Sequence, residues 1–167
     1  MTDSDFDVLF QGLASVKARD IVVGGVAVVL HGHMRLTADV DLVLSLEPTN
    51  VNAALHALAK LGYRPRAPVD AFAFADAATR KSWIEEKGMT VFSLWSPNHP
   101  TTDVDIFVQE PFDFEDAFAR ALHVQLGETI VTVASISDLI ALKTVANRPK
   151  DQEDIRALRL IEEAEHT

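Results

Sequence analysis

Two Asp-x-Asp pairs, Asp39-Val40-Asp41 and Asp103-Val104-Asp105, are the residues of this sequence with the most chemistry to offer. Each is embedded in aliphatic residues (Val40, Leu42 and Val43; Val104 and Ile106), so each reads as the start of a strand inside a sheet. Side chains two apart on a strand leave the same face, about 6–7 Å from one another. Two carboxylates held that close repel unless a cation joins them. A hard ion such as Mg²⁺ is bound in this way, through one or two carboxylates together with substrate phosphates. The alternative is that the acids merely end their strands and meet solvent or arginine. Asp105 lies deeper in its apolar run than Asp103. If the two strands are neighbours, Asp39, Asp41 and Asp105 make the three-carboxylate cluster that a two-metal phosphoryl-transfer centre requires.

A second feature precedes the first acid pair. Val23-Gly24-Gly25-Val26 stands where a β-branched run, Ile21-Val22-Val23, gives way to a short helix over Val26–His33. Glycine lets backbone approach a phosphate closely, and a helix start offers free N–H groups; tight packing of helix on sheet explains a glycine pair equally well. Arg35 and Thr37 lie between the glycines and the acids, placed either to touch phosphate or to hold the loop. Towards the C-terminus, Lys143, Arg148 and Lys150 form a basic island without intervening acids. Such an island near a triphosphate would stabilise charge on departing pyrophosphate. Its structural alternatives are a lysine snorkelling from a helix and an Arg148 ion pair with Asp151 or Asp154. Asp151 also has the position of a helix N-cap. His31 and His33 fall at a helix end, where capping or exposure is expected; His99, in the loop before the third acid, is a candidate contact for an acceptor. Trp83, Trp95 and the phenylalanines are assigned to the core.

The elements that must position these groups follow from periodicity and punctuation. Helices are predicted over 5–18, 51–61, 71–86, 112–122, 136–146 and 151–165, and strands over 21–23, 40–46, 63–66, 89–95 and 104–108. A two-stranded excursion over 124–134 turns at Gly127, and 89–95 with 103–108 reads as an antiparallel hairpin about the loop Ser96–Thr102. Interleaved strands and helices give an α+β (mixed α/β) class: one domain over 1–167 with a central mixed, largely antiparallel sheet flanked by helices and closed by two C-terminal helices. The motifs occupy 20–110 and the C-terminal helical part 135–165.

Composition narrows the function further. The 167 residues include no cysteine, which excludes thiol catalysis, disulfides and thiolate metal sites. With 15 basic and 25 acidic side chains the net charge is −10, and 48% of the residues are apolar. That charge disfavours bulk nonspecific binding of nucleic acid or of anionic membrane, while the apolar fraction suits a chain with one sizeable core. The acidic start and the short apolar run Ile21–Leu30 fit neither a secretory leader nor a bilayer span, so a cytoplasmic location is expected.

Taken in order, V-G-G, thirteen residues, D-V-D-L and a later V-D-I resemble the signature of the DNA polymerase β-like nucleotidyltransferase superfamily. The stretch G-G-V-A-V-V-L-H-G-H-M-R-L-T-A-D-V-D is similar to the small bacterial nucleotidyltransferases related to abortive-infection (AbiEii-type) toxins, and L-I-A-L-K with R-P-K-D-Q-E-D-I is similar to the C-terminal motifs of the same group. The resemblance spans residues 20 to about 160. It implies that Gly24 and Gly25 face a nucleoside triphosphate, that Asp39 and Asp41 ligate metal, and that Asp105 is the third carboxylate, helping to activate an attacking hydroxyl. It implies contacts from Lys143, Arg148 and Lys150 to nucleotide phosphates. The expected activity is transfer of NMP from an NTP to an acceptor hydroxyl with two Mg²⁺ ions (Mn²⁺ as a substitute). The acceptor is left open between an RNA end, a protein and a small molecule; the resemblance implies a toxin role with an antitoxin partner, and the chain's shortness for a separate acceptor-binding part leads to the expectation of a partner or a homodimer. The alternatives are a nucleotide-binding or regulatory module without turnover, and an unrelated metal-dependent hydrolase.

Overall fold

A computed structural model describes residues 4–166. Helix α1 (Asp5–Ser15) starts at Ser4, whose hydroxyl caps the Asp7 amide while Asp7 caps Ser4 in return. The chain continues through β1 (Asp20–Val23), α2 (Gly24–Leu30), β2 (Val40–Leu44), α3 (Pro48–Lys60), β3 (Arg64–Pro65) and a 3₁₀ turn (Ala71–Ala75). Then come α4 (Ala77–Lys87), β4 (Val91–Trp95), β5 (Val104–Phe107), α5 (Phe114–Ala119), β6 (Leu122–Leu126), β7 (Thr129–Val133), α6 (Ile136–Ala146) and α7 (Pro149–Glu165). All seven strands form one sheet in the order β3-β4-β5-β2-β1-β7-β6. Two of its pairings, β1·β7 and β2·β5, are parallel and the other four antiparallel, as the α+β reading requires.

The centre of the sheet is buried on both faces. Ile21, Val22, Val40, Leu42, Val104 and Ile106 are sealed from solvent, and Leu9, Leu13, Leu55, Leu58, Phe74 and Phe92 pack with them in the core. Burying each such side chain contributes about 1.5–3 kcal/mol. Phe74, Trp83 and Phe92 stack on one another within this core, as assigned from sequence. Trp95 instead lies half-buried beneath the Arg64 guanidinium.

Several boundaries differ from the periodicity reading, each for a local reason. The helix expected over 71–86 is split, because Asp76 turns extended and its carboxylate accepts from the Thr79 amide, starting α4 afresh. The helix expected over 112–122 is confined to α5: Asp113 caps its start, and Leu122 is taken by pairing with Val133. Helices α3 and α7 begin earlier than expected, each with proline in its first turn, where the missing N–H costs nothing. The glycine pair lies in the first turn of α2 rather than in a loop before it, and His33 falls outside that helix. Asn147, in the left-handed region at φ 50°, ends α6 and turns the chain into α7.

Candidate active site

One row of the sheet holds the chemistry. Val23 on β1 is in register with Asp41 on β2, Asp41 with Asp105 on β5, and Asp105 with Ser93 on β4. Neighbours in register share a face, so both carboxylates stand side by side on adjacent strands, one strand spacing apart. Asp39 lies just outside β2, next to where the Val40 amide bonds to the Asp103 carbonyl at 2.9 Å. Val23, Asp39, Asp41 and Asp105 floor a cleft of about 640 Å³. The glycine pair, the three acids, the basic groups and the threonine singled out from sequence line it: Gly24, Gly25, Arg35, Thr37, Asp39, Asp41, Asp105, Lys143, Arg148 and Lys150. Leu36, Val91, Phe107, Leu139 and Leu142 add apolar wall.

The glycines are explained by space. Gly24 has φ 71°, a conformation disfavoured for other residues, and a Cβ there would lie 2.0 Å from Asp41 Oδ2. At Gly25 a Cβ would meet Thr37 Oγ1 at 2.7 Å and Arg35 Nη2 at 2.8 Å. The bare backbone therefore admits the Asp41 carboxylate on one side and the Arg35–Thr37 loop on the other.

Opposite the acids stands a cationic wall built from α6, α7 and that loop. Lys143, in the last turn of α6, is buried and donates to Asp154 Oδ2 at 2.9 Å, with Asp151 Oδ1 at 3.6 Å. Arg35 reaches across to the same Asp154, from Nη2 to Oδ2 at 3.1 Å. Its Nε, 3.0 Å from Asp154 Oδ1, is not aligned to donate and is buried without a hydrogen-bond partner. Arg148 grips Asp151 from Nε at 2.7 Å and from Nη2 at 3.2 Å. Three cations thus share two buried carboxylates, which leaves one positive charge in excess.

The acid floor has no such compensation. Burial pushes the Asp41 carboxyl up to about 7, the charges of Asp105 and Asp39 add to the rise, and Lys143 and Arg148 only partly oppose it. Asp39 is raised as well, by desolvation and by Asp105 and Asp103. Asp151 is driven the other way: burial would raise it, but hydrogen bonds from the Arg148 side chain and amide outweigh that and hold it low.

Some sequence readings need correction. Asp151 is not an N-cap; it sits in the first turn of α7 and its Oδ2 accepts from the Arg148 amide at 3.0 Å. Asp103, whose participation the sequence leaves open, pairs with Arg66, whose Nε donates to it at 3.0 Å. His99, the candidate acceptor contact, has its Nδ1 2.7 Å from Asp5 Oδ1 and its ring stacked on Tyr63, and it is not among the residues that line the cleft. His31 caps α2 and its Nε2 is 2.8 Å from the Ala134 carbonyl. Two residues of the site were missed. Asp154 is the anchor shared by Arg35 and Lys143, and Ser93 donates to Asp105 Oδ1 at 2.6 Å. A hairpin folded symmetrically about His99, the centre of the loop Ser96–Thr102, would have placed Ser93 opposite Asp105.

The donor set can be tested against a divalent ion. Among the described residues no three His, Asp or Glu side chains converge tightly enough to cage a metal by themselves. Asp41 and Asp105 nevertheless stand in register, with no ion pair to either among the described residues, on the floor of an open cleft. That suits Mg²⁺, which keeps few protein ligands and takes the rest from water and substrate phosphates.

A family model described as "Nucleotidyltransferase of unknown function (DUF6036)" matches residues 3–166. No curated protein sequence matches the chain. Among solved structures the chain is similar to lincosamide antibiotic adenylyltransferase LnuA with lincomycin bound: TM-score 0.63 at 14% identity, covering 96% of this chain and 98% of that one. It is also similar to ANT(2")-Ia in complex with adenylyl-2"-tobramycin, with TM-score 0.54, 14% identity, and 92% and 84% coverage. A third is an antigenic nucleotidyltransferase-like protein from Paracoccidioides brasiliensis, with TM-score 0.57, 18% identity, and 90% and 72% coverage. At these identities the likeness is one of fold.

Proposed function

The chain belongs to this nucleotidyltransferase family, and on that premise we propose that its cleft transfers NMP from an NTP to an acceptor hydroxyl with release of pyrophosphate. The observation that carries the reading is the in-register pair Asp41 and Asp105 on the cleft floor, faced by a cationic wall with positive charge to spare. Asp41, Asp105 and Asp39 would hold Mg²⁺, which when bound supplies charge neutralisation at the reacting phosphate. The chain's own residues do the rest. Lys143, Arg148, Lys150 and Arg35 face the acids across the cleft, where they bind and orient the triphosphate. Asp105, at the β4–β5 side, would accept the proton of an incoming hydroxyl. Positioning and electrostatics supply most of the rate in phosphoryl transfer.

The acceptor we favour is a small polyhydroxylated molecule. Two neighbours of matching fold hold lincomycin and an adenylylated tobramycin, and a net charge of −10 opposes a long nucleic-acid track. The test is incubation of the purified chain with each labelled NTP, Mg²⁺ and panels of hydroxylated small molecules, RNA and protein, followed by identification of the labelled product. Asp41→Ala should abolish labelling; equal labelling by the variant would sink the reading. The toxin role carries its own test: expression should arrest growth, and Asp41→Ala should relieve the arrest.

A further inference from the structure

Ser93 stands outside every motif that marks the cleft. It is the third residue of β4, whose neighbours Phe92 and Leu94 are buried on the opposite face of the sheet, while Ser93 shares the cleft-side row with Asp41 and Asp105. Its hydroxyl donates to Asp105 Oδ1 at 2.6 Å, the length of a charge-assisted O–H···O⁻ bond. A serine hydroxyl has one proton, and here it is committed to one oxygen of one carboxylate. Asp105 has no basic partner among the described residues, and its neighbour in register is another acid. Left alone, the Asp105 side chain would be free to rotate away from Asp41. The hydrogen bond opposes this by occupying Oδ1, which leaves Oδ2 as the oxygen for a ligand.

The geometry points to Ser93 as a positioning residue that fixes the orientation of the Asp105 carboxylate for a divalent cation and a substrate hydroxyl. This rests on the nucleotidyltransferase reading of the cleft. It predicts a role that the backbone pairing of β4 with β5 does not need, because alanine or threonine at position 93 keeps the backbone N–H and C=O of that ladder.

The experiment is a Mn²⁺ titration of the purified full chain, followed by electron paramagnetic resonance, on the unmodified protein and on Ser93→Ala, Ser93→Thr and Asp41→Ala. Urea midpoints are measured in parallel to verify folding. Loss of a hydrogen bond to a metal-ligating carboxylate should weaken Mn²⁺ binding about tenfold in Ser93→Ala. Ser93→Thr, which keeps the hydroxyl, should restore it to within about twofold on the same scale. Once an acceptor is known, the alanine variant should lose kcat and keep its KM for NTP. Affinity that falls in Asp41→Ala but is the same in Ser93→Ala as in the unmodified chain overturns the role of Ser93 alone. Equal losses in the alanine and threonine variants overturn it too, since the hydroxyl would then not be the cause. An unmodified chain that takes up no Mn²⁺ with or without NTP overturns both this inference and the reading it rests on.

Discussion

Replacing Gly24 with alanine puts a methyl group where Asp41 already is. The cost has two separable parts. Alanine at φ 71° carries left-handed strain of about 1–2 kcal/mol. The new Cβ, 2.0 Å from Asp41 Oδ2, must also drive that carboxylate out of its rotamer, at about 0.5–1.5 kcal/mol. Gly24→Ala should therefore lose about 1.5–3.5 kcal/mol by urea unfolding, and Mn²⁺ affinity should fall because a ligand has moved. In an Asp41→Ala background the carboxylate is gone, leaving only a 3.1 Å contact with the Asp41 Cβ. The same glycine substitution should then cost only the strain, about 1–2 kcal/mol. The four proteins form a double-mutant cycle with an expected coupling of about 1 kcal/mol, above the few tenths that non-interacting sites show. Equal costs in both backgrounds would refute the claim that Gly24 exists to make room for Asp41.

Other outcomes follow from the same site. Lys143→Met keeps the aliphatic stem and strips a buried cation from Asp154 and Asp151, so urea unfolding should show a loss of about 3 kcal/mol; less than 1 would refute the network. Burial holds the Asp41 carboxyl up at about 7, so between pH 4 and 7 the folded chain keeps a proton that the unfolded chain releases. Without divalent ions, stability should fall as pH rises through that window and level off above it. Asp41→Asn should reduce that slope, leaving the share of Asp20, whose carboxyl burial also raises to about 7, and should stabilise the protein at pH 8 by about 1–3 kcal/mol, the full shift being discounted for partial exposure. Identical pH profiles would contradict the assignment. His99→Ala should leave nucleotide binding unchanged, as measured by calorimetry, because its partners are Asp5 and Tyr63.

The site was more legible in the sequence than its wiring. Glycine pair, Asp39-x-Asp41 and Asp105 could be read because each is a short local pattern set in apolar residues, and all of them line one cleft. What distance along the chain conceals is partnership. Arg35 and Asp154 are 119 residues apart and nothing local marks them as a pair. Lys143 and Arg148 were read as groups for phosphate, and the buried acids of α7 that hold them were seen only as caps or ion-pair alternatives. In the fold, periodicity placed the elements but misjudged ends decided by single side chains. Asp76 broke one helix by capping the next, and strand pairing claimed Leu122 from another.

The parallel junction of β2 with β5 also orders events in folding. Ser93 and Asp105 are 12 residues apart, and β1 meets β2 across one short helix and a loop, so each half of the row closes by local contacts. The seam between them must wait for α3, β3, α4 and β4 to be placed, and it brings two like charges face to face. This nonlocal closure is thus also the one that electrostatics resists. A divalent ion present during refolding should speed that step, and Asp105→Asn should speed it without one, which stopped-flow fluorescence of Trp83 and Trp95 can follow.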